Sequence, residues 1–211
     1  MIGNPGVVGR RVDQELEARH RLAGVAGELA DHRGEIAGEG IPGFLWSESA
    51  APGQDPLDYG TERAAREDAN FSYRNAVVAE SGGIVVGMLL GYRLPQPTAE
   101  DLAALPDIPP LLRPLVDLEY QVPGSFYVNA LSVFEEHQGR GIGSALLAIA
   151  GQRARQAGAS VLSLQVFAEN EGACRLYRRH GYALVDRRPI IAHPCYPYST
   201  EVLLMTRAVP E

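Results

Sequence analysis

The hexapeptide Gln138-Gly139-Arg140-Gly141-Ile142-Gly143 carries the most information about the fold of this 211-residue chain. It follows an apolar, β-prone segment, Ser125 to Phe134, and opens a segment with helical periodicity, Ile142 to Ala157. At a strand-to-helix junction, backbone N–H groups and the helix dipole converge on an anion, and glycine lets the backbone approach it closely. We therefore interpret the hexapeptide as a pyrophosphate-binding turn, although glycine is also the usual residue of an ordinary tight turn.

Two common phosphate-binding motifs do not fit this hexapeptide. The dinucleotide fingerprint G-x-G-x-x-G would require glycine at Ser144, and the acidic residue that it expects near Gln165 is missing. The P-loop requires a lysine, and all 19 basic residues of this chain are arginine. The absence of lysine also excludes an enzyme that works through a lysine Schiff base.

Composition indicates a single compact domain with a substantial core, because 45% of the residues are hydrophobic. The formal charge of -7 and the isoelectric point near 5.3 argue against nucleic acid or an anionic membrane as the main partner. The two cysteines, Cys174 and Cys195, form neither a disulfide framework nor a zinc-type pair, so we expect no metal and a reducing compartment. With no long apolar stretch and no signal-type core in Met1 to Val12, we expect a soluble, cytoplasmic protein.

The pattern along the chain predicts a weakly structured arm or poor first strand at 1–20, followed by one domain at 21–211. Seven prolines between Pro95 and Gly124 exclude a long helix or a central strand, so we interpret 95–124 as a proline-rich insertion. We expect it to contain short helices starting at Thr98 and around Leu111 to Leu118, and we expect Ile41 to Pro56 to be a loop. The remaining predictions are helices at Arg21 to Ala37, Pro56 to Asn70 and from Asn170 to His180-Gly181, a hairpin of Ala76 to Glu80 with Ile84 to Leu94, and strands at Val161 to Phe167, Tyr182 to Ile191 and Thr200 to Thr206.

The hexapeptide also fits the pattern Gln/Arg-x-x-Gly-x-Gly, and the sequence on both sides of it extends the match. Asn129-Ala130-Leu131-Ser132-Val133 precedes it, and Leu164 to Tyr177 followed by Arg178-Arg179-His180-Gly181-Tyr182 comes after it. From about Asn75 to Asp186 the chain resembles the GCN5-related N-acetyltransferase (GNAT) superfamily. This resemblance implies an α/β (α+β) fold, with a mixed, mainly antiparallel twisted sheet of six to seven strands flanked by about four helices.

The resemblance further implies an acetyl-CoA-dependent N-acetyltransferase that needs no metal. Carried over by motif, the Leu131 N–H donates to the developing oxyanion, Val133 pairs with pantetheine, and Tyr177 is the general acid that protonates the departing thiolate. Asn170 caps its helix and also touches the co-substrate. The full set of implied cofactor-binding residues is Leu131, Ser132, Val133, Gln138, Gly139, Arg140, Gly141, Ile142, Gly143, Ser144, Asn170 and Tyr177.

The general base and the acceptor stay open at this point. Glu119, Tyr127 and Asn129 lie in or just before the cofactor strand, and deprotonation through water is an alternative. His137 and His180 stand at element ends, where histidine is usually a cap or a surface residue. We expect the acceptor, an amine of a small molecule or peptide, to contact Ile41 to Trp46 and the turn His193 to Tyr198, with 95–124 bordering the same cleft. If the first strand is missing, a homodimer could cover the exposed sheet edge.

Two other functions are compatible with the same residues. A non-catalytic acyl-CoA-binding or sensing module would have the same fold and would need no general base. A nucleotide-binding protein would use the Gly-rich turn alone.

Overall fold

The computed structural model of the chain describes residues 8–10, 41–194 and 198–209. The described residues divide into two compact units, the first lying within Met1–Gly91 and Ala130–Leu147 and the second within Tyr92–Asn129 and Ala148–Glu211. Seven strands lie in the described ranges, namely β1 Val8–Arg10, β2 Ala76–Ser81, β3 Ile84–Arg93, β4 Phe126–Val133, β5 Val161–Phe167, β6 Ala183–Pro189 and β7 Glu201–Ala208. Six α-helices lie there too, namely α1 Ile41–Ser49, α2 Pro56–Ala64, α3 Ala99–Ala104, α4 Arg113–Glu119, α5 Ile142–Gln156 and α6 Glu171–Arg179.

The first unit is built on the antiparallel strands β1, β2 and β3, in that order. The predicted hairpin is confirmed, because β2 turns into β3 at Gly82 and Gly83, whose φ values of 61° and 81° are the left-handed values that glycine readily adopts. Its core cluster consists of Tyr73, Ala76, Val78, Met88 and Leu90. Within 1–20, three residues form the short strand β1, while the predicted helix at Arg21 to Ala37 lies outside the described residues.

The loop predicted at Ile41 to Pro56 is wrong over most of its length, because Ile41–Ser49 is the helix α1. Trp46 explains the difference. Its indole is buried, lies edge-on to Phe71 with ring centroids 5.8 Å apart, and packs so closely on Gly60 of α2 that an added Cβ would come within 2.6 Å. Long-range burial of one aromatic side chain thus stabilises a helix whose local sequence is loop-like.

The second unit is built on β4, β5, β7 and β6, in that order. β4 pairs in parallel with β5, as in Val128 opposite Leu164, and the pairings of β5 with β7 and of β7 with β6 are antiparallel. Four of the five pairings described in the two units are therefore antiparallel, which confirms the predicted mixed, mainly antiparallel sheet. The most deeply buried side chains of this unit include Leu118, Leu162, Leu164, Leu204 and Met205.

The proline-rich segment contains the two short helices that its sequence predicts, and the described residues hold six α-helices where about four were expected. Thr98 and Asp101 form a capping box at the start of α3. Further on, Asp117 of α4 accepts a hydrogen bond of 2.6 Å from Arg188 of β6, which ties the segment to the sheet of the second unit. In the described ranges, no helix is long and apolar enough to cross a membrane.

Candidate active site

The Gly-rich turn lies in the first unit, between the end of β4 and the start of α5. The side-chain amide of Gln138 donates to the Val133 carbonyl at 3.1 Å, and the Arg140 guanidinium donates to the Glu136 carbonyl at 2.8 Å. Both bonds fasten the turn to the backbone that precedes it. The Arg140 guanidinium therefore has a local structural role, and its contact with a phosphate stays a prediction.

The two turn glycines have the backbone conformation that the motif requires. Gly139 and Gly141 have φ values of 70° and 83°, and an added Cβ at either position would meet nothing within 4 Å. The first hydrogen bond of α5 runs from the Ala145 N–H to the Gly141 carbonyl at 3.0 Å. The N–H groups of Ile142 and Gly143 thus precede the helical ladder and have no acceptor among the described residues. This arrangement can bind an anion through its backbone.

Ser132 adds a polar atom to the strand that precedes the turn. Its Oγ is buried and has no hydrogen-bond partner among the side chains and backbone that the structure describes. β3 approaches β4 closely at this point, because a Cβ added to Gly87 would lie 2.6 Å from the Ser132 carbonyl oxygen. A buried hydroxyl without a partner costs free energy, so this atom is suited to a hydrogen bond with a bound ligand.

A carboxylate and two tyrosines form the most unusual electrostatic group of the second unit. Burial raises the pKa of Glu119 to about 7, and a hydrogen bond from Tyr127 opposes that rise. Burial, followed by the charge of Glu119, raises the pKa of Tyr127 well above its usual value. The same two causes raise the pKa of Tyr92, whose ring lies edge-on to that of Tyr127 with centroids 5.9 Å apart.

Tyr177 belongs to the same neighbourhood. It is buried on α6 and contributes to the raised pKa of Tyr127. Asn170 begins this helix as predicted, accepting a hydrogen bond of 3.0 Å from the Ala173 N–H. The second unit therefore brings together Tyr177, Tyr127 and Glu119, three residues singled out from the sequence, whereas the side chain of Asn129 is exposed.

The other candidates from the sequence lie apart from this group or outside the described residues. His180 is the C-cap of α6, and burial followed by the charges of Arg207 and Arg179 lowers its pKa. His137 ends a single 3-10 turn. Of the predicted acceptor turn, residues 195–197 lie outside the described ranges. No group of three or more His, Cys, Asp or Glu side chains that could hold a metal occurs in the part of the chain that the structure describes.

Two residues in this neighbourhood were not found from the sequence. Tyr92 lies near the end of β3, and only its position just before the proline-rich segment could have indicated it. Arg207 lies in β7 and has its guanidinium carbon 5.2 Å from the Tyr182 ring centroid. No local pattern indicates either residue, because their contacts are with residues far away in the chain.

Comparison with known proteins agrees with this architecture. The family model described as Acetyltransferase (GNAT) family matches residues 44–182, more than half of the chain. The chain is 37% identical over 62 residues to the uncharacterized N-acetyltransferase YdgE of Bacillus subtilis (strain 168), a match that spans 29% of this chain and 40% of that relative.

Two solved structures resemble the chain over nearly its whole length. An agmatine N-acetyltransferase in its apo form has a TM-score of 0.65 and 20% identity, covering 96% of this chain and 99% of the other. The polyamine N-acetyltransferase of Drosophila melanogaster has a TM-score of 0.65 and 18% identity, covering 96% and 100%. At these identities the likeness concerns the fold. The matched family model shows that this chain belongs to the acetyltransferase (GNAT) family.

Proposed function

We propose that the chain is an acetyl-CoA-dependent N-acetyltransferase that transfers the acetyl group directly to an amine of a small molecule or peptide. Membership of the family supports acetyl transfer. The raised pKa of Glu119 is the observation that supports an amine as the acceptor, because burial raises this pKa to about 7. A carboxylate with this pKa is a far stronger base at neutral pH than an ordinary glutamate, as deprotonation of an ammonium group requires.

In the proposed reaction Glu119 acts as the general base. Its carboxylate takes a proton from the acceptor's ammonium group, directly or through one water, and the neutral nitrogen attacks the thioester carbonyl carbon. The C–N bond forms, the C–S bond breaks, the thiolate of coenzyme A leaves, and the acylated nitrogen loses its surplus proton to water. The Tyr127 hydroxyl donates to Glu119 and so orients the carboxylate.

Tyr177 is proposed as the general acid that gives a proton to this thiolate, and water then returns a proton to the phenol. The proposal comes from its position in the family motif. Its burial and its electrostatic influence on Tyr127 support it, because they put the phenol in the same polar neighbourhood as the proposed base.

The Gly-rich turn is proposed to bind the pyrophosphate of acetyl-CoA. The positive φ values of Gly139 and Gly141 and the available N–H groups of Ile142 and Gly143 support this role. Along β4, the Leu131 N–H is proposed to stabilise the oxyanion and Val133 to pair with pantetheine. The buried Ser132 hydroxyl is suited to a further polar contact with the co-substrate. Gln138, Arg140, Ser144 and Asn170 complete the proposed set.

The half-buried Glu119 carboxylate favours a cationic acceptor over a neutral one, because the ammonium group compensates a charge that burial destabilises. The two structural neighbours are named for agmatine and polyamines, so these amines head the panel of acceptors to be tested. A peptide with a free amino terminus completes the panel.

The experiment measures thiol release from acetyl-CoA with each acceptor, together with the mass of the acetylated product. Release that depends on the amine and is matched by product supports the proposal. Binding of acetyl-CoA without turnover on any acceptor would favour the sensing module, although the candidate base argues against that alternative. Thermal stabilisation by ATP or NAD but not by acetyl-CoA would favour the nucleotide-binding protein.

A further inference from the structure

We propose that Arg207 of β7 is a positioning residue for Tyr177, because it holds the end of α6 together with the aromatic ring against which Tyr177 packs. The inference rests on the proposed function, in which Tyr177 is the general acid. All residues that carry it belong to the second unit.

The guanidinium of Arg207 makes two contacts at the carboxyl end of α6. One nitrogen donates to the His180 carbonyl at 3.1 Å, and the guanidinium carbon lies 5.2 Å from the centroid of the Tyr182 ring. His180 is the C-cap of α6, where carbonyl groups lack intrahelical donors and the helix dipole favours a cation. One side chain therefore fastens both the helix end and the Tyr182 ring.

Tyr182 transmits this restraint to Tyr177. The Tyr182 N–H donates to the Tyr177 carbonyl at 3.1 Å, and the two rings meet edge to face with centroids 5.9 Å apart. Both side chains are buried, with exposed fractions of 3% and 6%. Because neither ring can move into solvent, displacement of the Tyr182 ring displaces the Tyr177 phenol as well.

The contact between the Arg207 guanidinium and Tyr182 is buried as well as polar. The Nε of Arg207 and the hydroxyl of Tyr182 are both buried, so the two side chains interact where water screens charge poorly. Burial raises the pKa of Tyr182 to about 12, and the positive charge of Arg207 opposes the rise. The charge and the stacking contact of Arg207 therefore restrain the Tyr182 ring in a way that an apolar side chain at 207 would not.

Gly151 of α5 provides the room that the guanidinium needs. A Cβ added there would lie 3.2 Å from the terminal nitrogen of Arg207 and, apart from its own stretch of helix, would meet no other atom of the described residues within 4 Å. The substitution Gly151→Ala therefore shifts the guanidinium by a few tenths of an ångström while every other side chain is kept. Because alanine favours the helical state more than glycine, this variant perturbs Arg207 without weakening its own helix.

The test is a double-mutant cycle on the full chain, with kcat and the KM for acetyl-CoA measured for the acceptor that the wild type acetylates best. We expect Arg207→Met to lower kcat about tenfold, because small misplacements of a catalytic group are costly, and to change the KM for acetyl-CoA less than about twofold. In the Tyr177→Phe background, Arg207→Met should cause no further loss of kcat. Arg207→Lys, which keeps the charge but loses the planar stacking group, should restore only part of kcat.

Two further variants separate positioning from folding. Gly151→Ala should lower kcat without lowering the melting temperature. A variant that acted only through stability would lower the melting temperature as well. Arg175→Met is the control, because Arg175 is exposed on α6 and pairs with the likewise exposed Glu171 at 2.9 Å. It should leave kcat unchanged.

Equal losses from Arg207→Met with and without Tyr177→Phe would overturn the inference and leave the proposed function intact. An unchanged kcat in both Arg207→Met and Gly151→Ala would also overturn the inference and leave the proposed function intact. A full kcat in Tyr177→Phe alone would refute the acid role, and the inference with it.

Discussion

The Tyr127 hydroxyl donates a hydrogen bond to the Glu119 carboxylate, which joins the end of α4 to the strand β4 within the second unit. Burial opposes ionisation of both groups, so it raises both pKa values. The hydrogen bond has opposite effects on the two partners, because it favours the charged form of its acceptor and the neutral form of its donor. The result is a neutral phenol that holds a carboxyl group whose pKa lies near 7.

This pair predicts the acidic limb of the pH–rate profile. The proposed reaction needs ionised Glu119, so kcat/KM should fall as pH drops through about 7. In Glu119→Gln that limb should disappear, and kcat/KM at pH 8 should be about 10² to 10⁴ times lower. Steady-state rates measured from about pH 5.5 to about pH 9 bracket this limb and provide the measurement. A variant that keeps the wild-type limb would show that another group is the base.

Tyr127→Phe should move the same limb instead of removing it. The Tyr127 hydrogen bond lowers the pKa of Glu119, so its loss should raise that pKa further and shift the limb to higher pH. The variant also keeps the aromatic ring that packs against Tyr92. A shift to lower pH in the measured profile would contradict the assignment of the limb to Glu119.

The raised pKa of Glu119 also predicts how stability depends on pH. The folded protein binds this proton more tightly than the unfolded chain does, so the stabilisation is fully present below the unfolded pKa near 4.5 and is lost as pH rises through about 7. As pH rises from the lower of these two pKa values to the higher one, Glu119→Gln should therefore gain stability relative to the wild type, by at most about 3 kcal/mol. Urea unfolding of both proteins at low and neutral pH measures the difference between their free energies of unfolding. This difference should grow in favour of Glu119→Gln as pH rises, and a difference that shrinks would contradict the prediction.

Tyr177→Phe should lower kcat about 100-fold and leave the affinity for acetyl-CoA nearly unchanged, because the phenol is proposed to act on the departing thiolate. The ring that contacts Tyr182 is kept, so the fold should be unaffected. Kinetics together with calorimetric titration of acetyl-CoA make the measurement. An unchanged kcat would remove Tyr177 from the acid role.

Gly141→Ala should raise the KM for acetyl-CoA about tenfold or more, because a Cβ at a φ of 83° strains the turn by about 1–2 kcal/mol and stands where the phosphate is expected. Gly82→Ala is the matched control. Gly82 also has a positive φ, 61°, and open space around it, but it lies in the hairpin turn between β2 and β3. Equal KM values for the two variants would argue against a phosphate site at the Gly-rich turn.

Local sequence patterns predicted the elements that local interactions determine. Val161–Phe167 is a strand over the predicted residues, and Asn170 caps α6 because an Asn side chain can accept the N–H three residues later. The Gly-rich turn belongs to the same class, since positive φ values select glycine directly.

What the sequence did not predict depends on long-range contacts. The helix α1 depends on burial of Trp46, and the raised pKa of Glu119 depends on burial and on Tyr127. Tyr92 and Arg207 acquire their neighbours only when distant strands are brought together. Glu119 could be named from the sequence as one of several candidate bases, but nothing local to it reveals a pKa near 7.

The most direct test of the central claim measures coenzyme A release and acetylated amine together, for the wild type and for Glu119→Gln, with agmatine, a polyamine and a peptide as acceptors. We predict that the wild type forms the two products in equal amounts with at least one amine, and that Glu119→Gln forms both far more slowly at pH near 8. If the wild type binds acetyl-CoA but acetylates none of these amines, or if Glu119→Gln is as fast as the wild type, the account is contradicted.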